Sequence, residues 1–155
     1  MKTLEAKKGR SVCQIVICER DGDWASLLRR ETWGVRETRS LDECWHEVAQ
    51  AGKPRIVLLD VRCGPLEALL RGVDWMRRRY PDLLPIAIAP ESTRLAIWRP
   101  LCETGVLHFV SSFRDLPALR RVVCRHRQRY PKPPLSLEER IWNNLPWPSK
   151  SAPTP

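Results

Sequence analysis

The chain has 155 residues, 43% hydrophobic and 29% charged, proportions that fit one globular domain with a sizeable core and exclude a disordered chain. A net charge of +9 favours long-range attraction to anions, so acidic proteins, nucleic acid and charged membrane surfaces are the partner classes to weigh. No apolar run approaches the roughly 20 residues that cross a bilayer. The basic stretch from Met1 to Arg10 lacks a following signal-peptide cleavage pattern, so a cytoplasmic, non-membrane protein is expected.

Residues 1–10 read as a flexible basic N-terminus. Val12 to Cys18 is an apolar strand, after which Asp23 is expected to cap a helix through Trp24, Leu27 and Leu28 that stops at Gly34. A short strand, Val35 to Thr38, leads into Ser40-Leu41-Asp42-Glu43, the pattern of a capping box. Leu41, Cys44, Trp45, Val48 and Ala49 then share one helical stripe, ended by Gly52 and Pro54. The run Arg55-Ile56-Val57-Leu58-Leu59-Asp60 is apolar without alternation, which marks a strand buried on both faces. It ends on a single carboxylate.

Pro65 suits a first helical turn, and Leu66, Leu69, Leu70 and Val73 carry a helix to Tyr80, where Pro81 stops it. Leu84 to Ala89 is the fourth strand. Ser92 is expected to cap a helix through Leu95, Trp98 and Cys102 that Gly105 closes, and Leu107 to Val110 is the fifth strand. Ser112 with Asp115 starts the last long helix, through Leu116, Leu119 and Val123. Strands alternating strictly with helices argue for a doubly wound α/β domain over residues 11–130, a five-stranded parallel sheet with helices on both faces. Residues 131–155 form a proline-rich extension with a short amphipathic helix at about 136–145, and its Trp142 and Trp147 are expected to dock on this domain or on a partner.

The cysteines at 13, 18, 44, 63, 102 and 124 show no CxxC spacing and no histidine at ligand spacing, so free, mostly buried thiols are expected. His46, His108 and His126 have no evident triad partner. There is no GxSxG elbow, Walker A loop or GxGxxG fingerprint, and the acidic loop Glu19 to Asp23 is unsuited to cradling phosphate, so hydrolase, oxidoreductase and flavin readings fall away. Arginines at 77, 78 and 79, and at 120, 121, 125, 127 and 129, sit late in helices, where they complement the helix dipole and solvate the outer face.

The order and punctuation of these elements, with Val57-Leu58-Leu59-Asp60 and Glu103-Thr104-Gly105-Val106 as the most specific pieces, resemble the receiver domain of bacterial response regulators. That resemblance covers Val12 to Arg129 and implies a flavodoxin-like sheet of order 2-1-3-4-5. It makes Asp60 the phosphoacceptor candidate. It also implies Mg²⁺ beside Asp60 and two adjacent acids after the first strand, where this chain has Glu19 and Arg20; Glu19 and Asp60 are the metal-ligand candidates. The family's hydroxyl residue falls at Pro90, its strand-five lysine at Ser112, and its aromatic switch at Phe109. With the second acid, hydroxyl and lysine replaced, the resemblance is to an atypical receiver, or pseudo-receiver. The alternative for Asp60 is a strand-end carboxylate that caps its loop or pairs with Arg20 and serves structure alone.

Three functions follow. The first is a non-enzymatic signalling module of the two-component or phosphorelay type, acting through protein–protein contacts without a required cofactor. Its interface would use Trp98, Arg99, Phe109, Arg114, Arg120, Arg121 and Arg125, residue types common at binding hot spots; for Trp98 the alternative is a place in its helix's core stripe. The partner would be a kinase, another receiver, an output protein or a second copy, with an acidic surface matching the basic helix. The second is a phosphorylatable receiver using Asp60 and Mg²⁺, and the third is salt-dependent nucleic-acid binding through the last helix.

Overall fold

A computed structural model describes residues 14–31, 33–52 and 55–130, together with Leu137 and Ile141. The strands are β1 (Gln14–Cys18), β2 (Gly34–Thr38), β3 (Arg55–Asp60), β4 (Leu84–Ile88) and β5 (His108–Val110). The helices are α1 (Asp23–Arg29), α2 (Leu41–Gln50), α3 (Leu66–Arg79), α4 (Glu91–Glu103) and α5 (Leu116–Arg129), with a 3-10 turn at Phe113–Asp115 before the last. All strands pair in parallel in the order β2-β1-β3-β4-β5, as the resemblance implied.

The unalternated strands are buried on both faces because helices cover both. Ile15, Ile17, Ile56, Leu58, Ile86 and Ile88 pack against Trp24, Ala25 and Leu28 of α1 and Leu119 and Val123 of α5. Val16, Cys18, Val57, Leu59 and Ala87 face Cys44 and Val48 of α2, Leu69, Val73 and Met76 of α3, and Leu101 of α4. Each fully buried aliphatic side chain contributes about 1.5–3 kcal/mol by leaving water, so the central strand β3 anchors both layers. It thereby holds Asp60 in place at the sheet's carboxyl edge.

Several element ends differ from the sequence expectation, each for a local reason. Asp23 lies inside α1 and is not its cap; the N-cap is Gly22, with φ +84°, a left-handed conformation that a side chain would strain. The helix ends at Arg29 and not at Gly34, which begins β2. Ser92 does not cap α4 either. Pro90 holds that position, and Thr93 returns both its N–H and its hydroxyl to the Pro90 carbonyl. Ser40 does cap α2, accepting from the Glu43 N–H, although the Glu43 carboxylate takes the Arg39 N–H rather than completing the box at Ser40. The N-terminal segment 1–10, Val12, Cys13, Pro54, Trp142 and Trp147 lie outside the described residues. Of the expected tail helix, Leu137 and Ile141 are helical, and both are exposed.

Gly105, in the turn before β5, has φ +93° and lies against Arg77, whose Nη1 donates to the Thr104 carbonyl at 2.9 Å. A Cβ there would run into that guanidinium. α4 is the least buried long helix. Among its residues only Leu101 is fully inside, and Pro100 has no N–H to offer the Ala96 carbonyl.

Candidate functional site

Asp60 ends β3 with its carboxylate 1% exposed, and a buried charge of that kind must find a partner. Its partner is Arg62. The turn after β3 folds back on itself: the Arg62 N–H donates to Oδ1 at 2.9 Å and the Cys63 N–H to the Asp60 carbonyl at 2.9 Å. That turn swings the Arg62 side chain over the carboxylate. Nε donates to Oδ1 and Oδ2 at 3.0 and 3.1 Å, and Nη2 donates to Oδ2 at 2.7 Å. Nη2 also reaches Oδ2 of Asp21 at 2.9 Å, so one guanidinium bridges β3 and the loop after β1. Its hydrogen bonds to Asp60, opposed in part by burial, push Arg62 further above its already high range, and it stays charged at every physiological pH.

The sequence left Asp60 either to cap its loop or to pair with Arg20; it does cap the loop, through the Arg62 N–H, but its cation is Arg62 and not Arg20. Arg20 is exposed, and its carbonyl accepts from Arg39 Nη1 at 2.7 Å as part of a clamp on the β1–α1 loop. Arg39 also donates to the Glu19 carbonyl and pairs with Glu37.

Glu19, the other metal-ligand candidate, is 2% exposed and turned toward α1. Its Oε2 accepts the Trp24 N–H at 3.0 Å and its Oε1 the Ala25 N–H at 2.6 Å. The carboxylate supplies the capping that Gly22 lacks, at the positive end of the helix dipole. Burial raises its carboxyl above the ordinary range, while the two N–H donors pull it back. A divalent cation between Asp21, Asp60 and Glu19 would need oxygens that are already engaged, and a guanidinium stands where the charge would sit. The residues present do not fit Mg²⁺. Among the described residues no group of three acids, histidines or cysteines is arranged around a metal-sized gap.

Pro90, at the expected hydroxyl position, serves as the α4 N-cap. Ser112 caps the following turn in a reciprocal box with Asp115, and Ser111 donates its N–H to Asp115 Oδ2 at 2.7 Å. Those serine donors, the Ser111 N–H foremost, hold the Asp115 carboxyl below its usual range. Both serines are thus committed to a helix start. Phe109 stacks on Trp98, with ring centroids 4.2 Å apart and an interplanar angle of 25°. The Arg94 guanidinium lies 5.0 Å from the Trp98 ring centre and 5.9 Å from that of Phe109. Trp98 is 40% and Leu95 91% exposed, and with Glu91 and Arg94 they line an open groove of about 450 Å³.

Arg114, Arg121 and Arg125 are exposed, and burial, with the Arg125 charge adding to it, lowers the His108 pKa. Arg120 pairs instead with Glu31 beyond α1, on the side away from α4, so it does not belong to the α4–β5 surface.

One cluster had no motif to announce it. Cys18 at the end of β1, Cys44 on α2 and Cys63 in the β3–α3 turn pack into one layer, with Cys18 in thiol contact with both others. All are free. Contact with Cys44, reinforced by burial, pushes the Cys18 thiol up to about 12, and Cys63 is raised by its contact with Cys18 and by burial. The parity of Cys18 with Val16 and the place of Cys44 on the α2 stripe were the available signals.

No protein-family model matches the chain, and no curated protein does. Solved structures do. One, described as a novel family of redox sensors in the streptococci evolved from two-component response regulators, superposes with TM-score 0.62 at 14% identity over 76% of this chain and 53% of its own. NtrX from Brucella abortus in complex with ATP matches with TM-score 0.61 at 17% identity over 76% of this chain and 28% of its own. The CheY-like response regulator receiver domain protein from Methanospirillum hungatei JF-1 matches with TM-score 0.62 at 13% identity, over 77% of this chain and 99% of its own. The chain therefore spans about half of the streptococcal protein and little more than a quarter of NtrX, but nearly all of an isolated receiver. Its fold is that of the response-regulator receiver domain. Among the described residues no helix is long and apolar enough to cross a membrane.

Proposed function

We propose that this chain is an atypical receiver domain that works in the cytoplasm by binding other proteins, with Arg62 in place of the phosphoryl-linked cation chemistry of a working receiver. The observation that carries this reading is the Arg62 guanidinium, hydrogen-bonded to both oxygens of Asp60 and to Asp21. Phosphoryl transfer to a carboxylate needs a free oxygen in line with the donor and a cation that bridges both groups. Here both oxygens are occupied and the cation is covalently part of the chain. Because arginine does not deprotonate in proteins, the charge state around Asp60 is permanent.

The binding surface is the α4–β5 face. Leu95, Trp98 and Phe109 supply apolar anchors and Arg94 and Arg125 supply charge, which fits the acidic surface of a kinase, an output protein or another receiver, or a second copy of the chain. Asp60 and Arg62 maintain the fold near that face and transfer no group. The test is an NMR titration of the full chain with Mg²⁺ and then beryllofluoride. The expected spectrum shows no saturable shifts at Asp60, Arg62 or Phe109. Saturable shifts at those residues would establish a working phosphoacceptor instead.

A further inference from the structure

The three-thiol cluster has no part in the reading above, yet it lies directly beside Asp60. Cys18 is the last residue of β1 and pairs in register with Leu59, the residue before Asp60. Cys63 follows Asp60 in the turn closed by its own N–H on the Asp60 carbonyl, and this turn brings it back over the strand end. The thiols of Cys18 and Cys63 meet there. Cys18 is wholly buried whereas Cys63 is half-buried, so a small oxidant reaches Cys63 first and finds Cys18 behind it. Cys63 packs against the same buried cluster that holds Cys18.

We propose that Cys18 and Cys63 are a redox pair, joined by a hydroperoxide into an intramolecular disulfide that latches the β3–α3 turn, and Arg62 with it, over Asp60. The Cys63 sulfur attacks the outer peroxide oxygen, the O–O bond breaks, and water (or an alcohol) leaves with the thiol proton, giving a sulfenic acid. The Cys18 sulfur then displaces that oxygen as a second water, losing its own proton. Two electrons and two protons pass from the thiols to one hydroperoxide, and one S–S bond forms.

The experiment treats the folded full chain with hydrogen peroxide, blocks remaining thiols under denaturing conditions, and maps peptides by mass spectrometry. The same samples are probed by brief trypsin digestion, scoring cleavage after Arg62. Expected results are loss of two hydrogens, a Cys18–Cys63 cross-linked peptide reversed by reductant, and slower cleavage after Arg62 in the oxidised form. Cys63→Ser and Cys63→Ala abolish the cross-link, while Cys44→Ala retains it; circular dichroism verifies that each variant is folded. Oxygen adducts without a cross-link, or a cross-link from Cys18 to any cysteine but Cys63, would overturn the pair. A cross-link that leaves Arg62 cleavage unchanged would overturn the latch.

Discussion

Replacing Arg62 with methionine keeps the length of the side chain and removes its charge. Asp60 then loses the three side-chain hydrogen bonds from Nε and Nη2 and keeps only the Arg62 backbone N–H at 2.9 Å. Breaking a fully buried ion pair from one side costs about 3–5 kcal/mol, because the remaining charge is stranded. Arg62 is half-exposed, however, with its side chain 47% accessible, so water can follow into the gap and screen the freed carboxylate. The expected cost is nearer 2 kcal/mol, about that of one lost charge-assisted hydrogen bond. For a chain of this size that lowers the melting temperature by roughly 4–8 °C. Thermal and urea unfolding of Arg62→Met, Asp60→Asn and the double variant form a cycle, with an expected coupling of about 1–2 kcal/mol. Millimolar Mg²⁺ should raise the melting point of Arg62→Met, whose Asp21 and Asp60 are left without their shared cation, and not that of the wild type. An Arg62→Met protein that unfolds with the wild type, or zero coupling, refutes the view that this pair organises the site.

Glu19→Ala removes the acceptor for two α1 amides and should cost about 1–2 kcal/mol of stability, read by urea unfolding. Because burial raises the Glu19 carboxyl in the folded state, the proton-linked part of its contribution is fully present below the unfolded value near 4.5 and is lost as pH rises through the folded value, while the hydrogen bonds to the α1 amides remain. Glu19→Gln should flatten the stability profile across that window. His126 is buried beside Asp82, Arg55, Arg129 and Tyr130, and burial foremost lowers its pKa from 6.5, so the unfolded chain binds the proton more readily. Stability should therefore fall as pH drops below about 6.5 toward the folded value, and His126→Gln should remove that component from melting curves taken at several pH values. Gly105→Ala forces a Cβ into the Arg77 guanidinium at φ +93° and should cost about 1–3 kcal/mol; Arg77→Ala in the same chain should restore part of it in thermal unfolding.

The fold was legible because its signals are local. Strand runs such as Ile56 to Leu59, the α2 stripe from Leu41 to Ala49, and stops such as Pro81 and Gly105 each report on a few neighbouring residues. The address of Asp60 was legible for the same reason. Its partner was not, because Arg20 lies next to Glu19 in sequence, whereas Arg62 is delivered by a turn whose geometry depends on Asp60 accepting the Arg62 N–H. The Asp-x-Arg spacing at a strand end was the one available hint. Glu19 was misleading in a similar way: an acid before Gly22 and Asp23 suits a metal or a helix start equally well, and only the distances to Trp24 and Ala25 decide. Arg120 shares its helix with Arg121 and Arg125, but its register points it toward Glu31.

The central claim is that a covalently attached guanidinium, not Mg²⁺ and a phosphoryl group, satisfies Asp60. Intact-mass spectrometry of the full chain after incubation with Mg²⁺ and acetyl phosphate tests it most directly, with Asp60→Asn as the control. The expected spectrum is unchanged in both proteins. Wild-type mass rising by one phosphoryl group, with no rise in Asp60→Asn, would contradict the claim.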